Sequence, residues 1–176
     1  MSYCTYCKTL PEGNHHKIYH DTQYGFPIDD DNELFGRLIL EINQAGLSWD
    51  IILKKQEGFR KAYGNFEIKE VAAFDEKYVA DLLQNPEIIR NRLKINAAIH
   101  NAGVILKLQS EHGSFKNWIE YNHPKTKEEW VKIFKKTFKF TGGEIVNEFL
   151  MSTGYLPGAH DPDCETLEKI KNHGKI

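Results

Sequence analysis

The segment LFGRLILEINQAGLSW, at positions 34–49, places a charged residue where a helix would bury an apolar one. At about 100° per residue, Leu38 and Ala45 fall on one stripe of a helix, and Glu41 falls within the same stripe. An unpaired carboxylate there costs several kcal/mol unless a hydrogen bond, a proton or a ligand compensates it. Glu41 is therefore a candidate functional residue, and the alternative is an ordinary surface ion pair with Arg37, four residues earlier.

Apolar residues at helical spacing recur along the chain after a histidine-rich start, which we expect to be irregular through about residue 30. Asp31 or Asn32 can cap a helix over 32–45, and Ser48 can cap the next helix. Because convincing strand-type alternation is absent, the sequence predicts an all-α fold. Further helices are predicted at about 67–73, 75–84, 92–109, 114–121, 126–136, 142–152 and near the C-terminus.

Length and composition predict one compact domain over residues 1–176, because 40% of the residues are hydrophobic and no Gly-, Ser- or Pro-rich linker interrupts the chain. The 23 Lys and Arg residues nearly balance the 25 Asp and Glu residues, so a local patch would have to hold any nucleic acid. No apolar run approaches the roughly 18 residues needed to cross a bilayer, and no export signal is evident. We therefore expect a cytoplasmic protein with no membrane partner.

Cysteines and histidines near the two ends of the chain suit a metal site. Cys4 and His20 precede the first main helix, and the sequence HDPDC places His160 and Cys164 four residues apart, which lets both face one ion. Two thiolates and two imidazoles form a typical closed tetrahedral zinc set. An odd number of cysteines without an export signal favours metal ligation or free thiols over disulfides.

The spacing alone leaves the membership of this metal site open. His15, His16 and Cys7 are alternative ligands, and the pair Cys4-x2-Cys7 makes a site of three cysteines and one histidine the main rival. The alternative to a metal site is that the histidines are solvated and that Cys164 is a free thiol.

Four aromatic residues could surround Glu41, because they are close to it in sequence or can be brought near it by a link between the chain ends. They are Tyr6, Tyr19, Tyr24 and Trp49. Aromatic rings beside a buried carboxylate suit a flat cation, through stacking and attraction to the ring faces. For any one ring taken alone, ordinary core packing is the alternative.

The stretch LLQNPEIIRNRLKI predicts two helices joined by a short turn, since Pro86 disfavours helical geometry just before it. Arg90, Arg92 and Lys94 flank the start of the second helix, where backbone amides and cations suit a phosphate group. This pattern indicates a DNA-backbone contact, although the usual Gly-x-Gly of a DNA-binding helical hairpin is missing. An ordinary helical hairpin with solvated cations is the alternative.

Taken together, YHDTQYG, EINQAGLSW, IIRNRLKI, FKFTG and GAHDPDC closely resemble the DNA-3-methyladenine glycosylase I family, the bacterial zinc-containing members of the helix-hairpin-helix glycosylase superfamily. The resemblance spans nearly the whole chain. It implies an all-α glycosylase domain with a helix-hairpin-helix at about 75–109, and a structural zinc that joins terminal segments 1–30 and 154–176. The zinc ligands that it implies are Cys4, His20, His160 and Cys164.

The same resemblance implies roles for the pocket residues. Glu41 is expected to read the methylated base and to act as an electrostatic catalyst, with Tyr19 and Trp49 stacking around the base. Tyr6 and Tyr24 stand where the family usually has tryptophans, so the stacking area is expected to be smaller.

The implied reaction is hydrolysis of the N-glycosidic bond of 3-methyladenine in double-stranded alkylated DNA by a monomeric enzyme, which releases the free base and leaves an intact abasic site. N3-alkylation gives the base a positive charge, so an anionic Glu41 would discriminate against normal bases. The alternatives are a catalytically weak, zinc-stabilised DNA-damage-binding module and a small-molecule protein that binds another purine cation.

Overall fold

The computed structural model describes residues 1–173, and their regular secondary structure is entirely helical. The predicted all-α class is therefore confirmed. No helix in this part of the chain is both long enough and apolar enough to cross a membrane. The α-helices of residues 1–173 are α1 Tyr3–Lys8, α2 His15–Thr22, α3 Asp31–Gln44, α4 Trp49–Lys54, α5 Gln56–Ala62, α6 Ile68–Ala72, α7 Glu76–Leu82, α8 Arg92–His112, α9 Phe115–Asn122, α10 Lys127–Thr137, α11 Gly143–Ser152 and α12 Glu165–His173, with a 3-10 turn at Gly64–Phe66.

The prediction of an irregular start through residue 30 is wrong, because α1 and α2 lie there. Each is preceded by a capping side chain: Ser2 accepts a hydrogen bond from the amide of Thr5, and Asn14 accepts one from the amide of His16. Helices this short carry too few apolar positions to show a periodic pattern, so their caps are the main signal. Helix α5 was missed for the same reason.

The chain divides into two compact units. The terminal unit contains Met1–Pro27 and the described residues from Leu150 onward, and the central unit contains Ile28–Phe149. One boundary falls inside α11, where no change of composition marks it. The family resemblance implied that segments 1–30 and 154–176 are joined, but nothing in the local sequence marks the boundary within α11.

Helix α3 is the most deeply buried element of the central unit. Every residue from Leu34 to Asn43 is buried, so its polar residues are enclosed together with its apolar ones. A helix buried on all sides belongs to the interior of a fold. At its first residue, the Asp31 carboxylate accepts hydrogen bonds from the Gln109 side chain and from the amides of Phe115 and Lys116.

The loop at 83–91 connects α7 to α8 and is fixed by α4 and α5. The Lys55 ammonium, just after α4, donates to the carbonyl of Pro86 at 2.5 Å. Gly58 in α5 lies so close to the loop that an added Cβ would collide with the backbone oxygen of Glu87. A glycine at this position is therefore what lets the loop pack against α5.

Replacing Gly58 with alanine is expected to destabilise the protein by about 1–3 kcal/mol, because the loop backbone must move to admit the methyl group. The matched control is Gly103→Ala in α8, where an added Cβ meets nothing within 4 Å. That change is expected to stabilise the protein by about 0.5–1 kcal/mol through helix propensity. Urea denaturation of both variants checks the prediction, and equal effects would contradict it.

Candidate metal cluster and candidate base-recognition site

The terminal unit brings together four buried side chains from both ends of the chain: Cys4, His20, His160 and Cys164. Their candidate ligand atoms all lie within 4.8 Å of one another. Nδ1 of His160 lies 3.2 Å from Nε2 of His20 and 3.6 Å from Sγ of Cys4. Sγ of Cys164 lies 3.7 Å from each of these two nitrogen atoms.

These separations match the edges of a zinc-centred tetrahedron. With Zn–N and Zn–S bonds of usual length, ligand nitrogens lie about 3.3 Å apart, and a nitrogen and a sulfur lie about 3.6 Å apart. The donor set and its dimensions therefore fit a four-coordinate zinc ion, and all four positions would be filled by the protein. Such a site is closed to water and typical of structural zinc.

Hydrogen bonds orient both imidazoles toward the cluster. Nδ1–H of His20 donates to the Asp21 carboxylate at 2.6 Å, and Nε2–H of His160 donates to the carbonyl of Tyr24 at 2.6 Å. Each bond leaves the other ring nitrogen, the one facing the cluster, with a free lone pair. The amide of Asp161 donates to Sγ of Cys4 at 3.3 Å. The sequence analysis missed Asp21, although its place directly after His20 was the available signal.

Burial keeps two side chains of the cluster uncharged, the Cys4 thiol and the His160 imidazole. Burial raises the pKa of the Cys4 thiol to about 11, an effect that the amide of Asp161 partly opposes. Burial also lowers the pKa of His160, which keeps this imidazole neutral, as metal ligation requires. A buried thiol with a raised pKa becomes a thiolate only beside a strong positive charge.

The rival ligands lie outside this cluster. Cys7 is buried, and its thiol donates to the carbonyl of His16 at 3.6 Å instead. Nδ1 of His16 lies 3.1 Å from the hydroxyl of Tyr3, and His15 is exposed. The arrangement of three cysteines and one histidine is therefore not the one that the fold assembles.

Three of the predicted aromatic residues also lie in the terminal unit. Tyr19 and Tyr24 are buried with ring centroids 5.6 Å apart, whereas Tyr6 is 39% exposed. The sequence analysis missed Tyr3, whose ring lies edge-on 5.7 Å from His20 and 5.6 Å from Tyr24. Tyr3, which is partly exposed, thus connects the aromatic cluster to the metal cluster.

Glu41 is buried in the central unit with 4% of its surface exposed. Burial raises its pKa to about 8, and the neighbouring Glu148 adds to this effect, whereas the charge of Arg37 opposes it. Arg37 is itself only 7% exposed, so the alternative of an ordinary surface ion pair is wrong. The burial of Glu41 that its position in the apolar stripe predicts is confirmed.

The raised pKa corrects one expectation about Glu41. The family resemblance implies an anionic Glu41, but a carboxyl group with a pKa of about 8 is mostly protonated at neutral pH. A cationic partner at this position would favour the ionised form and lower the pKa.

Trp49 and the predicted DNA-contacting cations also lie in the central unit. Trp49 is partly exposed at the start of α4. Arg90 and Arg92 are exposed, and the Arg92 guanidinium lies 3.2 Å from the Glu76 carboxylate at the start of α7. An exposed ion pair of this kind contributes little to stability and leaves Arg92 accessible to another anion.

Lys94 differs from the other two cations. It is 5% exposed, burial lowers its pKa, and its ammonium donates to the carbonyls of Asn43 and Ala45, each at 2.8 Å. The expectation of a surface ammonium at Lys94 is therefore wrong, because the side chain turns into the protein to reach the end of α3.

Comparison with known proteins identifies the family. A sequence profile described as methyladenine glycosylase matches residues 11–136. The chain belongs to the methyladenine glycosylase family. It is 35% identical over 157 residues to DNA-3-methyladenine glycosylase 1 of Escherichia coli (strain K12), a match that covers 78% of this chain and 84% of the relative.

Other members of the methyladenine glycosylase family match over more of the chain. DNA-3-methyladenine glycosylase of Haemophilus influenzae (strain ATCC 51907 / DSM 11121 / KW20 / Rd) is 32% identical over 179 residues, with coverage of 91% of this chain and 96% of the relative. A solved structure of 3-methyladenine DNA glycosylase I from Staphylococcus aureus, which addresses 3-methyladenine recognition, has a TM-score of 0.82 and 30% identity, and covers 94% of this chain and 97% of that chain.

Proposed function

We propose that this protein is a DNA repair glycosylase that hydrolyses the N-glycosidic bond of 3-methyladenine in alkylated DNA. The observation that carries the proposal is the buried Glu41 carboxyl group in the central helix of a methyladenine glycosylase family member. The relatives named above are 3-methyladenine glycosylases. A buried carboxyl group suits an alkylated purine, because that base carries the positive charge that normal bases lack.

In this proposal Glu41 recognises the base and supports departure of the leaving group. The carboxyl group passes its proton to solvent water as the cationic base arrives, and the carboxylate then binds the edge of the base. The bond between the base and C1′ of the sugar breaks with its electron pair passing to the purine, which leaves as a neutral molecule. Water adds to C1′ and gives up a proton, so the products are free 3-methyladenine and an abasic site.

The product is expected to be an intact abasic site rather than a cleaved strand. A lyase reaction needs a free amine to attack C1′, and the Lys94 amine at the start of α8 already donates to two backbone carbonyls. We also propose stacking roles for Tyr6, Tyr19, Tyr24 and Trp49, and we assign DNA-backbone contacts to Arg90 and Arg92. The proposal includes double-stranded DNA as substrate, a helix-hairpin-helix formed by α7 and α8, a monomeric enzyme and a cytoplasmic location.

We further propose zinc as the metal of the cluster, held by Cys4, His20, His160 and Cys164. Support comes from the tetrahedral separations and from the two hydrogen bonds that orient the imidazoles. When bound, the ion would act structurally, because four protein ligands leave no position for water or substrate.

The direct test is base release from DNA treated with a methylating agent. We expect the purified chain to release 3-methyladenine, detected by chromatography, above the release seen without protein, and to leave alkali-sensitive sites. Borohydride is expected to trap no protein–DNA adduct. Tight binding to abasic DNA without free base would instead support the alternative, a catalytically weak zinc-stabilised damage-binding module.

A further inference from the structure

Lys94 contacts the C-terminal end of the helix that carries Glu41. It lies in the first turn of α8, and its ammonium donates to the carbonyls of Asn43 and Ala45 at 2.8 Å each. Only 5% of its surface is exposed, so its stem is packed and its charge is enclosed. Two short hydrogen bonds from one buried ammonium define the position of both carbonyls.

The end of α3 needs such a partner. The last carbonyls of a helix accept no hydrogen bond from within the helix, and they lie at the negative end of its dipole. The chain leaves α3 at Ala45 with φ −52° and ψ 119°, and Gly46 follows with φ +80°. The side chain of Gln44 donates to the carbonyl of Leu47 at 2.9 Å, which closes the turn that leads into α4. Lys94 ties this turn to α8 through its hydrogen bonds to the carbonyls of Asn43 and Ala45.

We propose that Lys94 is a positioning residue for base recognition. By binding the two carbonyls, it fixes the α3–α4 turn, the segment 44–48, against the first turn of α8. Glu41 lies just before this turn and Trp49 just after it, so both depend on the same anchor. The reaction that Lys94 serves rests on the proposed function.

This arrangement also connects two proposed activities within the central unit. Arg90 and Arg92 are exposed beside the start of α8, where the proposal assigns contacts with the DNA backbone. Lys94 is in the same turn but points to the helix that carries Glu41. When α7 and α8 are bound to DNA, Lys94 would thus hold the α3–α4 turn in place. An error of about 1 Å in the position of a group that contacts the substrate can reduce turnover about 100-fold.

The rival role is the one that the sequence predicts, a direct phosphate contact by Lys94. The two roles differ in what a neutral substitution changes. Loss of a phosphate contact weakens binding to all DNA sequences and reduces the salt dependence of binding by about one unit. Loss of a positioning contact lowers turnover and loosens the turn, with the salt dependence unchanged.

The test compares Lys94→Met with Lys107→Met, a control at an exposed lysine of the same helix. Three quantities are measured on the full chain: kcat and KM for base release, the salt dependence of binding to abasic duplex DNA, and hydrogen exchange of backbone amides in 44–53. For Lys94→Met we expect kcat to fall about 10- to 100-fold, exchange in 44–53 to become faster, KM to stay within about twofold of wild type and the salt dependence of binding to stay unchanged. Lys107→Met is expected to match wild type.

A reduced salt dependence with unchanged kcat would overturn the proposal in favour of a phosphate contact. Unchanged exchange in 44–53 would overturn it as well. If Lys94→Met does not fold, Lys94→Gln is used instead, because glutamine keeps N–H donors without the charge. For Lys94→Gln we expect a kcat and an exchange rate in 44–53 that lie between the wild-type values and those expected when the anchor is absent. Failure of the proposed function itself is distinguishable, because wild type would then release no base. The comparison of hydrogen exchange in 44–53 between wild type and Lys94→Met would still test whether Lys94 holds the α3–α4 turn.

Discussion

Replacing Cys164 with alanine is expected to abolish zinc binding and to unfold the terminal unit, while the central unit stays folded. Among the largest fully buried side chains of residues 1–173, only Tyr19 belongs to the terminal unit. A small unit with so little core depends on a metal or another cross-link for its stability. We expect the terminal unit to lose more than about 3 kcal/mol of stability.

Metal analysis and hydrogen exchange measure this effect. Wild type is expected to carry zinc, and Cys164→Ala none, with a loss of amide protection in α2 and α12 but not in α3. The matched control is Cys7→Ala, a buried cysteine outside the cluster, which is expected to keep both zinc and protection. Full protection of α2 and α12 in metal-free Cys164→Ala would contradict the structural role of the ion.

Apart from the short α5, the helices from residue 31 onward could be predicted, because an apolar repeat or a capping residue marks most of them. Asp75 caps α7, and Thr126 begins α10 with a capping box. The short helices α1 and α2 escaped prediction, since Ser2 and Asn14 are single capping residues in front of polar segments. Local capping is visible in a sequence only when an apolar repeat follows it.

The candidate metal ligands illustrate a second limit. Cys4 and Cys7 are three residues apart on one helix, so spacing alone could not choose between them. The choice depends on where each thiol points, and Cys7 points to the carbonyl of His16. The family resemblance, rather than the spacing, named the cluster that the structure brings together.

Residue type was also a poor guide to environment for the charged residues. Lys94 is a cation in a helical hairpin, yet its contacts are the carbonyls at the end of α3, and only the packing of α8 on α3 reveals this. For Glu41 the periodic pattern predicted burial correctly. Its protonation could not be predicted, because the pKa depends on depth and on the neighbours Arg37 and Glu148.

Replacing Glu41 with glutamine is expected to reduce kcat/KM for 3-methyladenine release at least about 100-fold, because glutamine cannot present a negative charge to the cationic base. For wild type, kcat/KM should rise about tenfold per pH unit below pH 8 and level off above it, since the free enzyme must ionise a group with a pKa of about 8. The glutamine variant should lack this rise. Rates measured between about pH 5 and pH 9 check both points.

The same substitution is expected to affect stability in the opposite direction. The pKa of Glu41 is about 8 in the folded protein and about 4.5 in the unfolded chain. The contribution of this group to the stability of the folded protein is therefore fully present below about pH 4.5, and it is lost as the pH rises through about 8. At about pH 9 the variant Glu41→Gln should therefore be more stable than wild type by up to a few kcal/mol, with no such gain at about pH 5. The exposed Glu128→Gln serves as control and should show neither effect. Lower stability of Glu41→Gln at about pH 9, or undiminished base release, would reject the role assigned to this buried carboxyl group.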